Sequence, residues 1–238
     1  LQRVLITGAN RGLGLEFTRQ FLERGECVFA CCRNPEAAFR LGELKSVYRK
    51  QLEIVEMDVS DFESIRRSHE VVKTHTGVID ILINNAGVYS IYGSKEPSEH
   101  LGTLRFEDAL KVFRINAVAP VIIVQEYLDL LVASSGAKIV GISTGYASLS
   151  LNTKGFPYYY SASKAAMNMF MRSLSVEVKK WGITTVLLDP GWVQTDMGGP
   201  RAPLTPKQSV EGMIRVIDAI KPEQSGCFLN WRGETVPW

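Results

Sequence analysis

Short, nearly unbroken apolar runs alternate along this 238-residue chain with longer stretches whose apolar positions recur every three or four residues. The first kind predicts strands at 3–6, 26–32, 52–57, 79–83, 137–142 and 183–188, with a seventh at 226–230. The second predicts helices over 12–24, 35–48, 61–75, 104–133, 159–180 and 207–220. Runs such as Ile79-Asp80-Ile81-Leu82-Ile83 suit strands covered on both faces. Regular alternation of strand and helix predicts an α/β fold with a doubly wound parallel sheet. No repeat, low-complexity segment or linker interrupts residues 1–238, so one domain is expected. Two stretches break the pattern: 88–103, with Gly93, Pro97 and Gly102, and 194–206, with Gly198-Gly199-Pro200, Pro203 and Pro206. Both leave the carboxyl ends of strands, where open α/β sheets bind ligands, so both are candidate rims of a substrate site.

The first strand runs directly into Thr7-Gly8-Ala9-Asn10-Arg11-Gly12-Leu13-Gly14, after which Leu15, Phe17, Phe21 and Leu22 recur at helical spacing. Gly8 permits the tight turn, Gly12 lets backbone approach a phosphate, and Gly14 allows close packing of helix on sheet. The free N–H groups at the helix start then bind a pyrophosphate. Three glycines alone mark an ordinary βα turn. With a readable strand before and helix after, a dinucleotide site is the better account, and the sheet is expected to be of Rossmann type, about seven strands with helices on both faces.

Tyr160 and Lys164 stand four residues apart in Tyr160-Ser161-Ala162-Ser163-Lys164, which places them on one helix face. A fixed ammonium beside a phenol lowers its pKa, as a general acid working on a carbonyl oxygen near neutral pH requires. By itself the pair is more often a packed ring and a solvated charge.

Composition narrows the field. A net charge of +2 with dispersed basic residues gives no case for nucleic acid. The longest apolar run, Ala117 to Val124, has eight residues and contains Pro120, far short of the roughly 20 that cross a membrane. No leader is expected before the first strand, since the opening residues already belong to the fold, and a cytoplasmic location follows. The four cysteines fit a reducing compartment: Cys27, Cys31 and Cys32 share a strand, Cys227 stands apart, and none has metal-ligand spacing. They read as small buried hydrophobes. His69, His75 and His100 form no ligand pattern and read as solvated, so no metal is expected.

Together, Thr7-Gly8-x-x-x-Gly12-x-Gly14, Asn84-Asn85-Ala86-Gly87, Asn116, a strand-end hydroxyl, Tyr160-x-x-x-Lys164 and Pro190-Gly191 resemble the short-chain dehydrogenase/reductase family in order and spacing. The segments Thr195-Asp196-Met197-Gly198-Gly199-Pro200 and Gly233-Glu234-Thr235-Val236-Pro237-Trp238 look like its C-factor/sniffer-like carbonyl reductase branch. The resemblance implies an oxidoreductase that reduces a ketone or aldehyde, with Tyr160 as proton donor. Lys164 would hold the nicotinamide ribose and lower the phenol pKa, and Asn116 would join a water relay to the lysine. Thr144 aligns with the family's substrate-polarising serine; Ser143 is the alternative.

The same resemblance implies a cofactor-binding set. Gly8, Asn10, Arg11, Gly12, Leu13 and Gly14 would form the phosphate turn, and Asn85, Ala86 and Gly87 would run along the adenosine. Asp58, followed by Val59, would meet the adenine; Pro190, Gly191, Val193 and Thr195 would lie over the nicotinamide. Cys32 occupies the strand end where an NAD site commonly presents a carboxylate. Arg33 follows it and Arg11 precedes Gly12, so two guanidiniums could clamp a 2′-phosphate, making NADP(H) the expected cofactor. Trp192, Tyr158, Tyr159 and Met197 could offer surface to a hydrophobic carbonyl or alcohol substrate. A homodimer, or a tetramer of dimers, is expected through helices 104–133 and 159–180, the latter carrying the stripe Met167, Phe170, Met171 and Leu174. The competing function is a dinucleotide-binding signalling protein with little turnover.

Overall fold

The computed structural model describes residues 1–89, 101–153, 155 and 157–238. Most of the first irregular stretch, with Gly93, Pro97 and His100, therefore lies outside the described residues, as do Lys154 and Phe156, shortly before Tyr160. The strands are β1 (Arg3–Thr7), β2 (Cys27–Cys32), β3 (Leu52–Glu56), β4 (Ile81–Asn84), β5 (Lys138–Ile142), β6 (Thr184–Asp189) and β7 (Cys227–Asn230). They form one parallel sheet in the order β3-β2-β1-β4-β5-β6-β7. Parallel neighbours need crossover connections, and helices supply them.

Alternation along each strand divides the core in two. Val4, Ile6, Val28, Ala30, Val140 and Ile142 point to one face, where α1 (Gly12–Glu23), α2 (Phe39–Val47) and α8 (Pro206–Ala219) cover them. Leu5, Phe29, Cys31 and Ile139 point to the other, beneath α3 (Phe62–His75), α5 (Ala119–Glu126), α6 (Leu128–Val132) and α7 (Tyr158–Glu177). The sheet is thus doubly wound, as the pattern predicts. Among the described residues no helix is long and apolar enough to cross a membrane.

Three expectations need correction. The helix expected over 104–133 is broken into α4 (Phe106–Phe113), a π-helical turn (Arg114–Val118), α5 and α6. Pro120 has no N–H and its ring crowds the carbonyl four residues back, at Asn116. The ladder widens there, and the Ala119 N–H reaches Arg114 O, five residues back. His69 is buried rather than solvated: it bonds Asp129 Oδ1 at 2.9 Å and meets the Tyr127 ring edge-on. Cys31 and Cys32 are buried, whereas Cys27 and Cys227 are only half-buried. The stripe on α7 also splits, because Met167 and Met171 pack beneath Gly141 while Phe170 faces outward.

Candidate active site

The strand order reverses between β1 and β4, where open sheets of this kind leave a crevice at their carboxyl ends. The glycine-rich turn sits there. Gly12 has φ 54°, a conformation other residues resist, and a Cβ on it would stand 3.6 Å from Thr195. A Cβ on Gly14 would collide with Gly8 O at 2.3 Å and with Asn85 Nδ2 at 2.6 Å, which fixes glycine at that position. The turn is fastened to β4. Thr7 Oγ1 accepts from the N–H groups of Asn85 and Ala86, both at 3.0 Å, and Asn85 Nδ2 donates to Thr7 O at 2.8 Å and Gly8 O at 3.1 Å. Asn10 and Arg11 are exposed and Leu13 packs partly on the core, so the free helix start faces the crevice.

Beyond β4, a second cluster converges. Asn116 in the π turn is fully buried: its Oδ1 accepts from Val88 N–H at 2.9 Å, and its Nδ2 donates to Val88 O at 2.8 Å and Ser163 Oγ at 3.1 Å. Ser163 Oγ in turn donates to Tyr160 O at 2.8 Å. Lys164 Nζ donates to Ile142 O at 2.7 Å, at the end of β5. A side chain at Gly87 would press against both Asn116 and Lys164, at 3.3 and 3.5 Å, so glycine keeps this junction open.

Neighbouring hydroxyls at the end of β5 diverge. Ser143 keeps the strand alternation, lies on the same face as Gly141, and donates to Asn168 Oδ1 at 2.7 Å under α7. Thr144 begins the turn Gly145–Ala147, its Oγ1 accepting from Tyr146 N–H at 3.3 Å, and stands on the side of the Tyr160 phenol, whose ionisation it favours. Geometry therefore separates the two candidates by surroundings: Thr144 on the phenol's side, Ser143 behind the sheet.

The electrostatics of Tyr160 run opposite to the expectation of a lowered phenol pKa. Burial pushes the phenol up, and the Asp189 carboxylate at the end of β6 adds to the shift, while Thr144 opposes it. Lys164 is turned to Ile142 O, and burial brings its own pKa down to about 8. Asp189 itself is pushed up by burial, against the pull of N–H groups from Gly191 and Gly145. Sequence analysis missed Asp189, Ser163 and Tyr89, whose ring lies 4.9 Å from that of Tyr160. For Asp189 the signal was available, an acid at a strand's carboxyl end directly before Pro190-Gly191.

The remaining expected residues lie around the crevice. Cys32 closes β2, buried, and Arg33 follows, exposed. Arg11 is paired with Asp196 at 3.0 Å, both largely exposed. One oxygen of Asp58 accepts from Ser60 N–H and Oγ, at 2.8 and 2.7 Å, and Val59 packs partly on the core. Pro190 is buried and its carbonyl accepts from Ser209 Oγ at 2.7 Å; Gly191 turns the chain with φ 75°. Val193 is buried, and Thr195 Oγ1 accepts from Gly198 N–H at 3.1 Å. Bonds from Leu204 N–H to Trp192 O and from Gln194 N–H to Leu204 O close this loop on itself. Of the aromatic candidates, Trp192, Tyr158 and Met197 are exposed at the rim. Tyr159 instead holds the start of α4, its hydroxyl donating to Arg105 O at 2.9 Å and accepting from Arg105 N–H at 2.6 Å.

A glycine-rich βα turn at the switch point, beside a buried tyrosine, lysine and asparagine and a half-buried threonine, defines a dinucleotide-dependent oxidoreductase. The chain belongs to the short chain dehydrogenase family, whose model matches residues 2–203. It is 44% identical to C-signal of Myxococcus xanthus over 163 residues, 68% of this chain and 95% of that relative. Among solved structures it is similar to an NADPH-bound carbonyl reductase from chicken fatty liver, with a TM-score of 0.91 and 34% identity, covering 100% of this chain and 99% of that one. It is also similar to the carbonyl reductase Sniffer of D. melanogaster, with a TM-score of 0.91 and 31% identity over 100% of both chains.

Proposed function

We propose that residues 1–238 form an NADPH-dependent carbonyl reductase that converts a ketone or aldehyde to an alcohol, with Tyr160 as proton donor. The observation that carries this is the convergence of buried Tyr160, Lys164 and Asn116, joined through Ser163, at the strand ends beside the glycine-rich turn. Bound NADPH supplies the hydride. The residues present fit that group: the cradle at Gly12 and Gly14 admits no side chain without strain or collision, and Cys32 leaves the β2 end without a carboxylate. Arg11 and Arg33 are the cations available for a 2′-phosphate. Tyr160 holds its proton at the phenol oxygen, since burial favours the neutral form, and gives it to the carbonyl oxygen as charge develops there. Thr144 would polarise the same carbonyl oxygen, and Lys164 and Asn116 hold the inner wall.

The likeness to C-signal is the ground for a second reading, a dinucleotide-binding signalling protein with little turnover. A panel of aldehydes and ketones, followed by the loss of NADPH absorbance, separates the two. Turnover of any carbonyl supports the reductase; tight NADPH binding with no turnover across the panel supports the binding protein.

A further inference from the structure

The chain after β7 turns back and touches two loops that leave the neighbouring strands β5 and β6. Asn230 organises the turn: its Oδ1 accepts from Arg232 N–H at 2.9 Å and Glu234 N–H at 3.0 Å, and its Nδ2 donates to Glu234 Oε2 at 2.7 Å. Thr235 then bridges Leu229 in antiparallel fashion, and Val236, buried, donates its N–H to Phe228 O at 2.9 Å. Residues 231–238 are thereby fastened to the sheet edge.

At one end of this segment stands the half-buried Trp231. A Cβ on Gly191 would lie 3.2 Å from its Nε1 and 2.8 Å from Leu204 Cδ1. Gly191 opens the loop after β6 and Leu204 closes it, so both ends of that loop meet at one point beside the ring. On α8, a Cβ at Gly212 would meet the same ring at 2.7 Å. Two glycines thus leave a slot that the indole fills. At the other end, the Trp238 ring lies 5.6 Å from that of Phe228. Its carbonyl accepts from Ser150 N–H at 3.0 Å, Ser150 Oγ at 2.6 Å and Ser148 Oγ at 3.2 Å. A carbonyl has two lone pairs, so three donors saturate it. Ser148, itself buried, also accepts from Leu151 N–H at 3.2 Å. Both serines belong to the loop that leads from Thr144 to Tyr160.

Strands β5 and β6 are neighbours, and loops at their carboxyl ends wall the crevice between them. We propose that residues 231–238 are a positioning strut for the substrate: Trp231 sets the wall after β6, Trp238 sets the wall after β5, and together they fix the opening that leads to Tyr160. This rests on the reductase reading. A wall held in place beforehand spares the substrate the cost of ordering it, so loosening either wall weakens binding of a carbonyl compound large enough to touch it. A small aldehyde that reaches only Tyr160 is spared.

The test compares kcat/KM for the bulkiest and the smallest carbonyl compounds that the wild type reduces. In Trp231→Ala and in Trp238→Ala the bulky-to-small ratio should fall about fivefold, chiefly through KM, and Trp231→Phe and Trp238→Phe should restore most of it. The ratio does not depend on how much of the protein is folded, so lost stability alone cannot move it. Backbone hydrogen exchange needs no turnover: it should quicken at Gln194 and Leu204 in Trp231→Ala, and at Ser150 and Leu151 in Trp238→Ala. Should a tryptophan variant not fold, Leu204→Ala replaces the first, and Ser148→Ala combined with Ser150→Ala replaces the second. An unmoved ratio on either wall overturns the proposal, and so does failure of every variant of one wall to fold. A wild type that reduces no carbonyl would sink the reductase reading instead, and unchanged exchange at those four amides would then overturn the strut by itself.

Discussion

Ser143 donates to Asn168 Oδ1 at 2.7 Å beneath α7, whereas Thr144, one residue later, opens the turn after β5 on the side of the Tyr160 phenol. Adjacent hydroxyls thus differ entirely in what they can touch. Thr144→Ala should lower turnover by roughly 10²-fold, the scale of losing one donor to a developing oxyanion. Ser143→Ala should leave turnover within a few-fold and cost about 1 kcal/mol of stability through its lost hydrogen bond. Steady-state kinetics and denaturant unfolding of both variants check this. The opposite ranking would assign the chemistry to Ser143.

Cofactor preference rests on Arg11 and Arg33. Arg11 is already paired with Asp196, but both side chains are largely exposed, and such a pair contributes only about 0–1 kcal/mol. A 2′-phosphate can displace it. Arg33→Ala and Arg11→Ala should each weaken NADPH binding roughly tenfold or more while leaving NADH nearly unchanged. Asp196→Asn should leave NADPH affinity equal or a few-fold tighter, because it frees Arg11. Titration of each variant with both dinucleotides decides it; equal losses for the two would remove the 2′-phosphate assignment.

How much of this was legible in the chain differs by kind of feature. Periodicity gave the seven strands, because a sheet buried on both faces demands continuous apolar runs. The turn at Gly8, Gly12 and Gly14 and the Tyr160/Lys164 spacing were readable, since each depends on contacts within a turn or two of chain. Pro120 was visible, yet its consequence, the π turn that carries Asn116, needs the helix ladder to be drawn. The direction of the Tyr160 shift was not readable at all. It depends on burial depth and on Asp189, which arrives from another strand. Arg11 meeting Asp196 across 185 residues of sequence is likewise a property of the fold alone.

Burial of Lys164 gives a stability signature of known sign. Its pKa falls from the ordinary 10.5 to about 8, with loss of hydration as the cause. Between these values the unfolded chain holds a proton that the folded chain has released, so stability rises with pH across that window. Lys164→Met removes the group. The unfolding free energy of wild type minus variant, measured without cofactor, should grow by up to about 3 kcal/mol from pH 8 to 10.5. A difference that stays flat would show that the ammonium is hydrated in the folded protein.

The outer flank of α7 and its neighbour bears on assembly. Met167 and Met171 are spent on the sheet, but Met169 and Val176, seven residues apart on one face, are 67% and 72% exposed, and Phe170 is exposed beside them. Alongside, Phe106 on α4 and Val118 in the π turn are also exposed, with Leu110 between them. Apolar side chains clustered on two packed helices mark a surface that another protein covers, and closed two-fold symmetry is the commonest way for a chain to cover its own. We therefore propose a homodimer through this flank, or a tetramer built from such dimers. Met169→Lys combined with Val176→Lys should shift the protein toward monomer, since each places a charge where a partner's apolar face would lie. Light scattering at low micromolar concentration would show the change. A wild-type protein that runs there as a single 26.5 kDa species would refute the assembly and leave the catalytic assignments untouched.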